Sequence, residues 1–333
     1  MPRIKKILIL GGTGFIGAEL IKDLSKDESN KITTVDNQSR GKLDSNLKDI
    51  FKKNDIKYIN LDLTNFSNYE ILDNDFDEIF LLAGIVGVKY TIDTPEKVCM
   101  TNGMIILNTL KWLSQCKKSK LLYTSTSETY AGSLTAMNNF PIPTPESVPL
   151  CITDILNTRF SYAASKIFAE ACVNAYARKY DINSVIIRYH NVYGPRMGYE
   201  HVIPELSLRL LRKEEPFLLY GSDQTRAFCY ISDAVKATIS AMKEASSTPK
   251  IYHIGNDDEE ILIKDLFNMI TDLSNFKPKE IIYEEAPKGS PARRCPDIGF
   301  SKNDFGFSPK ISLETGLRLT FEWYQSMHPE GKV

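Results

Sequence analysis

Tyr162 and Lys166 stand four residues apart in Ser161-Tyr162-Ala163-Ala164-Ser165-Lys166, within a segment of strongly helical composition. On a helix this spacing puts both side chains on one face, one turn apart. A phenol held beside an ammonium can serve as a base. Half-ionising it near pH 7 requires its pKa to fall by roughly three units, or about 4 kcal/mol, which the ammonium and a further positive charge in the site can supply together. The spacing alone does not establish this chemistry, because tyrosine and lysine are abundant and the pair also fits any amphipathic helix.

A second cluster lies near the start, where Gly11-Gly12-Thr13-Gly14-Phe15-Ile16-Gly17 follows the apolar run Ile7-Leu8-Ile9-Leu10. Glycines at this spacing permit a tight turn and let backbone N–H groups approach a pyrophosphate, while the helix that begins near Phe15 aims its positive end at the anion. Asp36, which ends the next apolar run in Thr33-Thr34-Val35-Asp36-Asn37, follows the last glycine by about twenty residues, the spacing of a ribose-binding carboxylate. Such a carboxylate accepts ribose hydroxyls and repels a 2′-phosphate, since like charges about 4 Å apart cost on the order of 4 kcal/mol near a surface. NAD is therefore expected over NADP. Arg40 argues the other way, because an arginine can accommodate that phosphate.

These residues need a scaffold that brings distant segments together. Short apolar runs at 7–10, 32–35, 58–61, 78–82, 120–124 and 184–189 alternate with helical patterns at 15–24, 96–116 and 162–180. Strands linked by helical crossovers form a parallel sheet. The expected fold is α/β, a doubly wound parallel sheet of the Rossmann kind with a smaller C-terminal α/β region that binds substrate. Residues 1–190 form the dinucleotide-binding part and 191–333 the substrate part, with a segment near 251–275 able to return to the first. The proline-rich connection 132–158 is long enough to be a lid or substrate loop, and 287–296 reads as a Pro/Arg-rich loop.

Composition excludes several function classes. With 333 residues, a formal net charge of -1 and 25% charged residues, the chain has no electrostatic footprint for nucleic acid. The six cysteines are widely spaced, with no CxxC and no histidine at metal-ligand spacing, so they read as reduced thiols of a cytoplasmic protein and no metal is expected. The basic start and the four-residue apolar run after it imitate a signal peptide, but the run stops at Gly11 and reads better as a first buried strand. No stretch approaches the 18 or so apolar residues that span a bilayer, so no membrane partner is expected.

Taken together with Ser125-Thr126-Ser127-Glu128-Thr129-Tyr130, Arg188-Tyr189-His190-Asn191-Val192-Tyr193-Gly194-Pro195 and Arg226-Ala227-Phe228-Cys229-Tyr230-Ile231-Ser232-Asp233, the two clusters resemble the NAD-dependent epimerase/dehydratase family of extended short-chain dehydrogenase/reductases. The resemblance runs from about residue 7 to 324. It implies that Thr126 hydrogen-bonds the sugar hydroxyl being oxidised, that Tyr162 takes its proton, that Lys166 holds the nicotinamide ribose and that hydride passes to NAD. By the same resemblance Asp62 and Leu63 flank the adenine, Leu82, Ala83 and Gly84 line the cofactor, and Asn102 supports the active-site helix. Asn191, Arg226 and Arg294 match positions that contact the diphosphate of a nucleotide-sugar substrate. The helices at 96–116 and 162–180 resemble the pair through which this family dimerises, so a homodimer is expected.

The residues after Thr126 select the fate of the keto sugar. Ser127 stands where 4,6-dehydratases usually carry an acidic residue, which disfavours dehydration. Thr126-Ser127-Glu128 and the tail Arg293-Arg294-Cys295-Pro296-Asp297-Ile298 look more like UDP-glucuronate decarboxylases, while the stretch 83–90 and the long insert depart from them. Lys89 is the candidate to answer a substrate carboxylate. Epimerisation at C4 needs no additional acid and is the leading expectation, with decarboxylation or net 4-dehydrogenation as alternatives. Glu128 is then a substrate clamp or a proton-transfer group, and His190 is given no catalytic role. A catalytically silent NAD-binding regulator is disfavoured because such proteins typically lose the tyrosine or the lysine.

Overall fold

The computed structural model describes residues 3–116, 118–286 and 290–332. Residues 1 and 2 of the basic start and 287–289 of the Pro/Arg-rich loop lie outside the described residues. Ile7, Leu8, Ile9 and Leu10 are all fully buried, as a continuous apolar run requires of a strand covered on both faces. They belong to β1 (Lys5–Leu10), followed by β2 (Asn30–Val35), β3 (Lys57–Ile59), β4 (Glu78–Leu81), β5 (Lys120–Thr126), β6 (Ser184–Tyr189) and β7 (Lys250–Ile254). All seven form one parallel sheet in the order β7-β6-β5-β4-β1-β2-β3.

Side-chain alternation along β1 divides the core in two. Ile7 and Ile9 pack with Leu20 and Ile21 of the Phe15–Leu24 helix. Leu8 and Leu10 pack on the other face with Ile106 and Leu110 of the Pro95–Leu113 helix and with Ala169 and Val173 of the Phe160–Tyr180 helix. Helices on both faces of a parallel sheet make this the Rossmann arrangement. Strand order reverses between β1 and β4, which opens a crevice at the carboxyl ends of those two strands.

Past residue 190 the chain first leaves the sheet and then returns. The expected run at 251–254 becomes β7, whereas the helix that follows, Ile263–Leu273, packs against Val202–Leu211 and Leu313–Met327 and not back on the sheet. A small separate sheet pairs Thr225–Ala227 with Glu260–Leu262 on one side and Arg293–Arg294 on the other. Its parallel register sets Arg294 directly opposite Arg226. β5 runs two residues further than its apolar pattern suggests, because Ser125 and Thr126 still pair with Arg188 and Tyr189 of β6. All six cysteines are free thiols, and among the described residues no helix is long and apolar enough to cross a membrane.

Phe80 of β4 is fully buried at the centre of the sheet. Phe80→Ala is expected to cost about 3–5 kcal/mol, because the cavity left behind adds to the lost transfer energy. Urea unfolding followed by circular dichroism measures this, and a midpoint equal to wild type contradicts the packing described.

Candidate active site

The crevice between β1 and β4 is built from backbone. Gly11 sits at φ +99, and a Cβ there would lie 2.7 Å from the Ala83 nitrogen. A Cβ on Gly17 would lie 2.2 Å from the Gly11 carbonyl oxygen, so only glycine lets the Phe15–Leu24 helix start this close to the turn. Gly14 differs. Its φ of -72 is available to any residue, and the nearest atom to a Cβ placed there is 3.4 Å away, so the fold itself does not require glycine at that position. Gly14 caps the helix without a side-chain bond, and the free N–H groups of the first turn, over Phe15 and Ile16, face the crevice as an anion site. A pyrophosphate fits this cradle where a Cβ would intrude.

Asp36 ties β2 to that turn. One carboxylate oxygen accepts the Thr13 N–H at 3.0 Å and the other the Gln38 N–H at 2.8 Å, which leaves lone pairs on both for ribose hydroxyls. Asn37 is exposed and caps Ser39 N–H at 3.0 Å. Arg40 does not lie free to receive a 2′-phosphate. Its guanidinium donates to the Val86 carbonyl at 2.6 Å and lies 3.9 Å from Glu200. Leu82 and Ala83 N–H groups both donate to the Leu10 carbonyl, at 2.9 and 2.8 Å, which closes the floor of the crevice. Asp62 is exposed and spends one oxygen on Thr64, while Leu63 is buried and its carbonyl accepts from Asn108 at 3.1 Å.

The Phe160–Tyr180 helix delivers Tyr162 and Lys166 to the same end of the sheet, both buried. Lys166 Nζ donates to the Thr124 carbonyl of β5 at 2.9 Å and lies 4.9 Å from the Tyr123 ring centre and 5.9 Å from that of Tyr162. Asn102 of the neighbouring helix bonds Ile85 N–H at 2.8 Å and Ser165 Oγ at 3.1 Å, so it pins the Gly84 loop to the helix of Lys166. Burial pushes the Lys166 ammonium down to about 8, opposed by Glu170. Burial also pushes the Tyr162 phenol well above its ordinary value, although a hydrogen bond with Thr126 pulls it down. Desolvation of the buried phenolate thus opposes the ionisation that two positive charges acting together are expected to favour.

Thr126 ends β5, and its hydroxyl caps the turn Ser127–Tyr130 by accepting the Glu128 N–H at 3.2 Å. Ser127 is buried in that turn. Glu128 is held by Arg294 Nη1 at 2.7 Å, and although burial alone would raise its carboxyl, the Arg294, Arg159 and Arg226 charges bring it below the usual carboxylate range. Arg226, facing Arg294 across the small sheet, is driven down to about 10 by burial and by Arg294. Arg294 Nε is buried without a partner among the described residues. Asn191 adopts φ +42 and donates to the Ala227 carbonyl at 2.9 Å, which ties the end of β6 to the strand of Arg226. Lys89 is exposed on the short helix Val88–Asp93. His190 is buried with neither ring nitrogen partnered among the described residues, its ring 4.4 Å from that of His253.

The long connection after Tyr130 is anchored for most of its length. Thr144 N–H donates to the Cys295 carbonyl at 2.9 Å, and the Glu146 carboxylate accepts His253 N–H at 2.9 Å. Two stretches stay open, 135–139 near its beginning and 153–158 near its end, where Ile155 and Leu156 are exposed. Spacing missed Ser125, Glu146, Glu170, Arg188 and His253, which form a polar cluster behind the site. Ser125 and Arg188 head two of the quoted motifs without a role of their own, and Glu170 lies one turn beyond Lys166 on the same helix.

Residues 7–255 match the model of the NAD dependent epimerase/dehydratase family. The chain belongs to that family. As a member it uses NAD and modifies a sugar nucleotide. It is 33% identical to the UDP-N-acetyl-alpha-D-glucosaminuronate decarboxylase of Bacillus cytotoxicus, over 97% of this chain and 98% of that protein. It is 32% identical to UDP-glucuronic acid decarboxylase 5 of Arabidopsis thaliana, over 95% of this chain and 88% of that one. Among solved structures this epimerase/dehydratase-family chain resembles the UDP-glucose 4-epimerase of Thermotoga maritima crystallised with UDP-glucose, with a TM-score of 0.83 and 26% identity over 97% of this chain and 99% of that one.

Because Gly14 is free of steric demand from the protein, Gly14→Ala is expected to leave the urea midpoint unchanged while weakening NAD binding by about tenfold or more, equivalent to at least about 1.4 kcal/mol. Calorimetric titration of cofactor-stripped protein with NAD measures this. Unchanged affinity would remove the pyrophosphate from the turn.

Proposed function

We propose that the protein decarboxylates a nucleotide-linked hexuronic acid through a 4-keto intermediate. The observation that carries the proposal is Arg294. It touches Glu128, two residues beyond Thr126, and its Nε is a buried donor with no partner among the described residues. A neutral sugar offers that cation only hydroxyl oxygens, whereas a uronate carboxylate matches its charge and its fork of donors. Arg226 and Asn191 then serve the diphosphate.

Bound NAD supplies the hydride acceptor for C4. Thr126 orients the C4 hydroxyl, Tyr162 takes its proton and Lys166 fixes the ribose beside the phenol. A ketone at C4 makes the C6 carboxylate a β-keto acid. The C5–C6 bond breaks, its electron pair passes to the C4 oxygen as an enolate, carbon dioxide leaves and C5 takes a proton from solvent. Tyr162 returns its proton to O4 when the ketone is reduced again. Glu128, held ionised by the arginines, keeps Arg294 oriented.

The names of the relatives in Bacillus cytotoxicus and Arabidopsis thaliana support this reading. Epimerisation at C4, the leading expectation from the sequence, is the second reading and draws on the likeness to the Thermotoga maritima epimerase. Product mass separates them. Incubating NAD-loaded protein with UDP-glucuronate or UDP-N-acetylglucosaminuronate is expected to give a product lighter by carbon dioxide. Unchanged mass with inverted C4 establishes the epimerase, and loss of two hydrogens a net dehydrogenase. Tyr162→Phe is expected to abolish turnover in a folded, NAD-loaded protein, and Arg294→Ala to lower kcat/KM for the uronate by about a hundredfold, the scale of losing one partner of a buried charge pair.

The functional unit is proposed to be a cytoplasmic homodimer, which the free thiols support for the compartment. Met100, Met104 and Leu107 are exposed at helical spacing on the Pro95–Leu113 helix, and Phe168 is exposed on the Phe160–Tyr180 helix packed beside it. These four residues suit a helix-pair interface between two copies. Met104→Glu is expected to shift the mass measured by light scattering from dimer to monomer. A monomeric wild type contradicts the proposal.

A further inference from the structure

Behind the site a carboxylate joins three elements. Glu170 is buried one turn beyond Lys166 on the same helix. Its Oε1 accepts from Ser125 Oγ, next to Thr126 on β5, and from Arg188 Nε at 2.9 Å, and its Oε2 accepts from Arg188 Nη2 at 2.6 Å. Arg188, on β6, is itself buried and donates from Nη1 to the Tyr130 hydroxyl and to the Glu146 carbonyl at 3.1 Å. Tyr130 closes the turn that carries Glu128, and its hydroxyl meets His253 Nε2 at 2.7 Å.

A buried ion pair is a poor source of stability, since a well-packed apolar pair of the same volume does as well or better. What an apolar pair cannot do is hold negative charge beside a buried ammonium. Around Lys166 the titratable groups are Tyr123 from β5, Tyr162 and Glu170 from its own helix, and Arg188 beyond Glu170. Asn102 and Gly84 on the remaining side are neutral. Of these Glu170 is the one carboxyl group.

We infer that Glu170 and Arg188 form a positioning pair that fixes the helix of Tyr162 and Lys166 against the strand of Thr126 and keeps Lys166 protonated. The inference rests on the reading of Tyr162 and Lys166 as the catalytic pair. Glu170→Gln alone strands the Arg188 charge and destabilises the fold, so the decisive variant is Glu170→Gln with Arg188→Gln. In NAD-loaded protein, NMR titration of 15N-labelled lysine side chains, with the Lys166 signal assigned by its loss in Lys166→Arg, is expected to show Lys166 losing its proton about one pH unit lower in the double variant than in wild type. With UDP-glucuronate as probe, kcat is expected to fall about tenfold while KM stays within about twofold. A folded double variant with wild-type Lys166 titration and wild-type kcat overturns the inference. Activity in Tyr162→Phe would instead overturn the reading of the catalytic pair, and the Lys166 titration would still judge Glu170.

Discussion

The site depends on a lysine that is charged where water is excluded. Moving an ammonium out of water is costly unless donors and charges inside replace the solvent. For Lys166 the replacements are the Thr124 carbonyl, the face of the Tyr123 ring and the Glu170 carboxylate. Each comes from an element whose position the parallel sheet fixes. β5 must run straight past Thr124 to present both its carbonyl and Thr126, and the Phe160–Tyr180 helix must lie close enough for Ser125 to reach Glu170. The scaffold holds these at fixed distances, so a group that burial drives to about 8 can remain an ammonium at neutral pH.

The same economy governs the other half of the cleft. Arg226 and Arg294 stand opposite one another on the small sheet, where Glu128 accepts a hydrogen bond from Arg294 and the Glu128 and Glu260 charges act on Arg226. Like charges this close repel, and burial lowers Arg226 further. Under the proposed function a uronate carboxylate beside Arg294 and a diphosphate beside Arg226 would add the anions that such a cluster favours. The Phe15–Leu24 helix follows the same physics, with no side chain capping its N-terminus and a positive end that favours an anion.

Much of this was legible because buried parallel strands read as unbroken apolar runs and crossover helices as periodic ones. β1, β2, β4 and β6 follow their patterns closely. β7 was harder, since Lys250-Ile251-Tyr252-His253-Ile254 contains a histidine that the sheet buries completely. The glycine turn, Asp36, Tyr162 and Lys166 could be found by spacing. Glu170, Arg188 and Glu146 could not, because a buried charge looks like a surface charge until its partner is known, and their partners are 18 to 107 residues away. The anchoring of the long connection by Thr144 and Glu146 was hidden for the same reason. The direction of the Tyr162 phenol depends on burial, which spacing does not report.

The central claim is that chemistry begins when the C4 hydrogen of the sugar leaves as hydride. Mixing NAD-loaded protein with UDP-glucuronate carrying deuterium at C4, and following absorbance at 340 nm together with the mass of the extracted cofactor, tests it directly. The account predicts a slowed absorbance rise relative to the unlabelled substrate and deuterium in the reduced cofactor. Turnover with no deuterium in the cofactor would contradict it.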